Sequence, residues 1–201
     1  MPDNLEKLKG ECSMSSDGKQ KEWDRFVGRL KDSDITVRII AEHLKMKKPN
    51  CEVTVPELRI APDYDHRSEY FDNGDIFIKC GDITRRYEVK GEKYDFYGEA
   101  TLPLSWKMPH NGVKVIVCNK NAFDRADPVP VAFYLCNKAR TRAILVDVEE
   151  TREFWYVSPT QPDNYDRTEE SYCVDAKYVK FVDIEAAKRR FFRQDDEESV
   201  E

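Results

Sequence analysis

An α/β fold built on a mixed central sheet is what this sequence predicts, and three features predict it. A helical stretch comes first, with Trp23, Phe26, Val27 and Leu30 at the i, i+3, i+4, i+7 spacing of one helix face. Residues 70–91, YFDNGDIFIKCGDITRRYEVKG, then read as two apolar strands joined by a tight turn. The C-terminal half adds antiparallel strands before a last helix. At 201 residues, with 40% hydrophobic and 36% charged, the chain can bury a full core and is not a disordered polymer.

Taken in order, residues 1–20 are polar and predict a flexible arm. Residues 21–193 predict one folded domain, and 194–201 an acidic tail. The first helix begins at Lys21. Asp32-Ser33-Asp34 would either end it and cap a second helix, or be passed over, since the stripe resumes at Val37, Ala41 and Leu44. Ile39 and Met46 lie on the other side, so this helix is expected to pack on two faces. Pro49-Asn50 stops it. Residues 51–60, CEVTVPELRI, alternate as a strand, with Pro56 marking an edge or bulge. Residues 61–70 form a polar loop with Asp63, Asp65, His66 and Arg67.

Beyond the hairpin, residues 91–112 are irregular and dense in aromatics and bases, among them Lys93, Tyr94, Phe96, Tyr97, Trp106 and His110. Two readings fit them: stacking on nucleotides, or capping of the sheet core. Residues 113–120, VKVIVCNK, predict a buried strand. Residues 131–137 and 142–148 predict a second hairpin whose turn carries Lys138, Arg140 and Arg142. Residues 153–157 are a short strand. Residues 172–182 continue the strand pattern or form a strand and a turn. Residues 184–192 predict a basic helix.

Chemistry concentrates in the first hairpin. Residues two apart on a strand share a face, so Glu88 and Lys90 point together and Val89 away. With the turn at Gly81-Asp82, Asp75 falls opposite Glu88. Two carboxylates offer hard oxygens to Mg²⁺ or Mn²⁺, and a lysine beside them can orient water or stabilise a phosphate. The same residues also fit a cross-strand ladder of ion pairs. Of Arg85 and Arg86, one shares the face of Glu88 and the other must point away.

Asp75 with Glu88-Val89-Lys90 resembles the metal-dependent core of the PD-(D/E)XK, or restriction-endonuclease-like, nuclease superfamily, over residues 22–120. Gly74 stands where the family name has proline. The resemblance implies a restriction-endonuclease-like sheet with residues 113–120 as its fourth core strand. It also implies Mg²⁺-dependent hydrolysis of nucleic acid, DNA first. Asp75, Glu88 and the Val89 carbonyl would hold the metal, Glu42 would complete the acids from the preceding helix, and Lys90 would serve the chemistry. Asp95 and Glu99 are reserve acids should that place not fall to Glu42. Nucleic acid would meet Arg85, Arg86, Lys93, Lys120, Lys138 and Arg140. Such nucleases often dimerise to cut both strands, which makes a homodimer the assembly to test.

A net charge of −6 argues against a plain nucleic-acid binder, though the acidic run at 195–198 supplies much of it. The competing expectation is a non-catalytic, nuclease-like binding or regulatory protein. No apolar run reaches membrane-spanning length and the first residues lack a signal peptide, which predicts a cytoplasmic protein without membrane contact. The six cysteines show no CxxC pair, so zinc is not expected. Cys80, Cys118 and Cys136 read as reduced, buried hydrophobes.

Overall fold

The computed structural model describes residues 16–63, 66, 74–107, 112–159 and 169–198. Most of the expected N-terminal arm, loop residues Asp65 and Arg67, and His110 lie outside them. The chain divides into two compact units, Met1–Asp32 with Leu58–Phe71, and Ser33–Glu57 with Asp72–Glu201. A helix, α1 (Ser16–Lys47), contributes to both. Asp34 does not break it. Its carboxylate instead accepts a hydrogen bond from Arg38 Nε, 2.7 Å away and one turn on. In the first unit Trp23 is buried, its ring centroid 5.3 Å from that of Phe26.

In the second unit the elements run β1 (Glu52–Thr54), β2 (Ile76–Cys80), β3 (Ile83–Gly91), β4 (Lys114–Asn119), α2 (Lys120–Asp124), β5 (Ala132–Cys136), β6 (Arg142–Asp147), α3 (Val148–Thr151), β7 (Tyr156–Pro159), β8 (Glu170–Asp175), β9 (Lys180–Asp183) and α4 (Glu185–Glu198). The fold is mixed α/β. One sheet has the order β1-β2-β3-β5-β6-β9 and a smaller one β4-β8-β7. All neighbours are antiparallel except β3 and β5. Cys80 faces Ile83, so the first hairpin turns on Gly81-Asp82. Gly81, at φ +61°, adopts the left-handed backbone that such turns favour.

Residues 113–120 are not the fourth strand of the large sheet, contrary to expectation. They form β4 of the small sheet, and β5 lies beside β3 instead. The pattern explains the exchange. β5, AFYLC, is buried at every position, as a strand covered on both faces must be. β4 leaves Ile116 exposed between buried Val115 and Val117, which suits a sheet with one covered face. Residues 172–182 divide between the sheets, β8 in one and β9 in the other. The acidic run at 195–198 continues the backbone of α4 instead of starting a separate tail.

The large sheet separates two cores. On one face Ile76, Ile78, Tyr87, Val89, Ala132 and Tyr134 pack with Ile39, Ile40 and Leu44 of α1 and with Ala187 of α4. On the other, Phe133, Leu135, Ile144 and Val146 pack with Val115, Val117 and Val174 of the small sheet. Phe96 is fully buried in this second core, 6.5 Å from Trp106 and from Phe181 between ring centroids. Of the aromatic stretch, Phe96 therefore serves the core, whereas Tyr97 is exposed.

The cysteines correct a second expectation. Cys51 and Cys80 form a disulfide between the start of β1 and the end of β2, and Cys80 is exposed. Cys118, Cys136 and Cys173 are free and buried. Tying residues 29 apart in sequence restricts the unfolded chain. Cys80→Ser is therefore expected to lower unfolding free energy by about 2–4 kcal/mol in denaturant titrations without reductant. Reductant should remove most of the difference between the two proteins.

His43, in the second unit's part of α1, is buried, with its ring 6.1 Å from Tyr134 in an edge-on contact. Burial holds its pKa below the ordinary 6.5, Lys47 pushes the same way, and Asp183 opposes them. The unfolded chain therefore takes up this proton first as pH falls. The stability due to neutral His43 is complete above pH 6.5 and is lost as pH drops from there toward the folded value. His43→Gln should flatten the acid side of the stability profile, by at most about 1.4 kcal/mol per pH unit.

Candidate functional site

The ladder between β2 and β3 ends at Ile76 opposite Tyr87. The next β3 amide needing an acceptor on that side belongs to Val89, and the Asp75 carboxylate supplies it at 2.6 Å. This bond draws the acid ahead of β2 onto the Glu88-Val89-Lys90 segment. Tyr87 and Val89 enter the α1-side core, so Glu88 and Lys90 lie on the opposite face, toward the small sheet.

Arg86 shares that face. Its Nε donates to Glu88 Oε1 at 2.7 Å, and both side chains are largely buried. Gly74 explains how the arginine fits. A Cβ there would come within 2.6 Å of Arg86 Nε, and the backbone sits at φ +94°. Proline, fixed near −65°, cannot adopt that conformation.

Lys90 reaches away from this pair. Its Nζ donates to the carbonyl of Val117 at 2.7 Å. Val117 sits at the irregularity in the pairing of β4 with β8, where a carbonyl lacks its usual ladder partner. Burial pushes the Lys90 ammonium below its ordinary range, against the pull of Glu92, Glu88 and Asp75. Glu92, two residues on, continues the same face. Burial raises its carboxyl pKa, with Lys90 and Lys93 opposing. Sequence reasoning passed over Glu92, although the i, i+2 rule that paired Glu88 with Lys90 reaches it as well. Cys118 lies nearby, and burial pushes its thiol up to about 12, which keeps it neutral and unreactive near pH 7.

Glu42 does not join this cluster. It is buried on the α1 side, with Oε1 2.6 Å from Lys45 Nζ and Oε2 3.2 Å from Arg190 Nε of α4. The sheet stands between it and Glu88. Asp95, a reserve acid, accepts from the Ala139 amide at 2.7 Å and so braces the second hairpin. Glu99 is exposed at the start of a short 3₁₀ turn. Asp63 pairs with His66 in its own loop, with Oδ1 2.7 Å from Nδ1. Among the described residues, no three acidic, histidine or cysteine side chains gather closely enough to hold a metal ion.

The six expected nucleic-acid contacts do not share one surface. Arg85 alternates with Arg86 and faces the α1 side. Arg140, at φ +54°, folds back so that Nε donates to Thr36 Oγ1 of α1 at 2.9 Å. Lys120 is paired with Asp124 at 3.0 Å, and that hydrogen bond raises its pKa. Lys93 lies over Tyr94, 5.0 Å from the ring centroid. Lys138 is exposed at the turn. That turn is rigidly built. Buried Asn137 donates to the Phe96 carbonyl at 3.0 Å and accepts from the amides of Thr141 and Arg142.

No protein-family model matches the chain, and neither a curated protein nor a solved structure does. Among the described residues no helix is long and apolar enough to cross a membrane.

The close fit of Gly74 under Arg86 is open to test. Gly74→Ala should cost at least about 1 kcal/mol, because an L-residue is strained at this φ and the guanidinium must move off Glu88. Adding Arg86→Ala to Gly74→Ala should recover only the steric share, and a double-mutant cycle of unfolding free energies reads it.

Proposed function

We propose that the chain is a metal-dependent nuclease acting on nucleic acid, DNA first, through Asp75, Glu88 and Lys90. One observation carries this reading. The bond from the Val89 amide to Asp75 holds that carboxylate against β3, where Glu88 and Lys90 share one face. The donor set suits Mg²⁺ in kind: hard oxygens from Asp75, Glu88 and the Val89 carbonyl, with water and phosphate filling the other positions, as Mg²⁺ commonly accepts. When bound, the ion would polarise the phosphate and lower the pKa of a coordinated water. Arg86 must release Glu88, and its planar fork then suits a phosphate oxygen pair. Lys90, oriented by the Val117 carbonyl, donates to charge developing on the phosphate. The family's helix acid has no counterpart here, because Glu42 is committed to Lys45 and Arg190 across the sheet.

The Arg86–Glu88 pair also favours a second reading, a non-catalytic protein of the same build. There the cluster is a ladder of ion pairs that fastens β2 to β3, and Lys90 only satisfies Val117.

Cleavage of supercoiled plasmid, linear duplex and single strands in Mg²⁺, Mn²⁺ or EDTA separates the two. The nuclease reading expects cutting that EDTA abolishes. Asp75→Ala and Lys90→Ala should each lower it by at least about 100-fold. Glu42→Gln should cut like the parent, since its carboxylate faces the other core. Equal cutting by Asp75→Ala would overturn the assignment of the site, and no cutting by any protein with its circular dichroism intact leaves the non-catalytic reading.

A further inference from the structure

Glu88 already has a cation built into the fold beside it. Arg86 and Glu88 stand two residues apart on one face of β3, and Arg86 Nε donates to Glu88 Oε1 at 2.7 Å. Their side chains are only 14% and 16% exposed, so little water screens the pair. The carboxylate that the nuclease reading assigns to a divalent cation is the one that Arg86 grips.

The grip has a seat. The Arg86 side chain lies against the backbone of Gly74, just ahead of β2. A Cβ on Gly74 would lie 2.6 Å from Arg86 Nε and 3.1 Å from both Cδ and Cζ. Those carbons flank the nitrogen that holds Glu88, so a side chain at position 74 would wedge the guanidinium off the carboxylate. The next residue, Asp75, accepts from the Val89 amide. One short segment therefore anchors the first acid of the site and seats the arginine that occupies the second.

Two cations at Glu88 oppose each other. A divalent ion there would stand within a few ångströms of the guanidinium, and like charges repel strongly where water is scarce. Pulling Arg86 away with no new partner would leave a largely buried charge unpaired, which is also unfavourable. A phosphodiester supplies the partner. Its non-bridging oxygens match the arginine fork and bring the negative charge that Glu88 now provides. Once Arg86 turns to the phosphate, the Glu88 oxygens are open to the cation. Each ligand then raises the affinity of the other by the same factor.

We propose that Arg86 is a latch on Glu88, seated on Gly74 and opened by a nucleic-acid phosphate, so that metal binds tightly only together with substrate. The inference rests on the nuclease reading and adds to it a control on when the site is loaded.

Calorimetric titration of Mn²⁺ without nucleic acid, into the parent, Arg86→Ala, Arg86→Gln, Gly74→Ala and Glu88→Gln, tests the latch, with circular dichroism confirming each fold. Arg86→Ala and Arg86→Gln should each bind Mn²⁺ at least about tenfold more tightly than the parent, and Gly74→Ala should move the same way. Adding Glu88→Gln to Arg86→Ala should erase the gain. Should Arg86→Ala fail to fold, Arg86→Gln, which keeps a donor and loses the charge, carries the comparison. Anisotropy of a labelled DNA duplex with cleavage-resistant phosphorothioate linkages, in Mn²⁺ and in EDTA, tests the opening. The factor by which Mn²⁺ tightens duplex binding should be at least about fivefold larger in the parent than in Arg86→Ala. Direct contact between cation and phosphate enters both factors, so the difference belongs to Arg86. Mn²⁺ binding that Glu88→Gln abolishes but the Arg86 variants leave unchanged or weaken would overturn the latch and keep the metal site. Equal factors in the duplex measurement would overturn its opening by phosphate. No Mn²⁺ binding to any folded variant would overturn the latch together with the nuclease reading.

Discussion

The parallel pairing of β3 with β5 governs the rest of this structure. Parallel neighbours cannot be joined by a tight turn, so the chain must leave the sheet and cross over before returning. Here the crossover carries Phe96, β4 and α2, and with β7 and β8 it builds a second sheet over one face. α1 and α4 cover the other. β5 is consequently buried on both sides, and side chains that alternate along β3 are sent to different environments. Arg85 and Tyr87 go to the helices, Arg86, Glu88 and Lys90 to the small sheet. One strand thus serves both faces of the sheet.

Local patterns were legible where neighbouring residues decide the outcome. The first hairpin, its Gly81-Asp82 turn and the placement of Asp75 against the Glu88 segment follow from alternation and counting. Of the two apolar sides read on α1, Val37, Ile39, Ala41 and Leu44 are buried, whereas Phe26 and Met46 are exposed. What stayed hidden depends on partners distant in sequence. Alternation cannot say which sheet a strand joins, so β4 and β5 could not be told apart as the fourth strand. Nor can it say which side of the sheet a helix covers, and that alone removes Glu42 from the carboxylates of β2 and β3. Cys51 and Cys80 meet only because β1 aligns beside β2, a register invisible in their scattered spacing.

The cluster around Glu88 shows how closely structural and chemical roles overlap. A carboxylate that closes a strand ladder, an arginine packed over a glycine and a lysine that completes a bulged carbonyl are ordinary devices of a stable sheet. The same groups, partly desolvated and set side by side, are also what phosphoryl chemistry uses. The balance turns on how firmly Arg86 holds Glu88.

The ends of the two sheets carry a consequence of their own. A sheet rim presents unpaired amides and carbonyls that another chain can use as a template. The outermost strands here are poor templates. β1 is three residues long, is cross-linked to β2 and soon meets Pro56; β9 is four residues long and begins with Lys180. In the small sheet β7 ends in Pro159, and Lys90 takes the Val117 carbonyl of β4. Lys90 therefore also guards a rim. Val117 is fully buried, so replacing Lys90 would leave a buried carbonyl without this donor, and the residue bears on the stability of that rim as well as on chemistry.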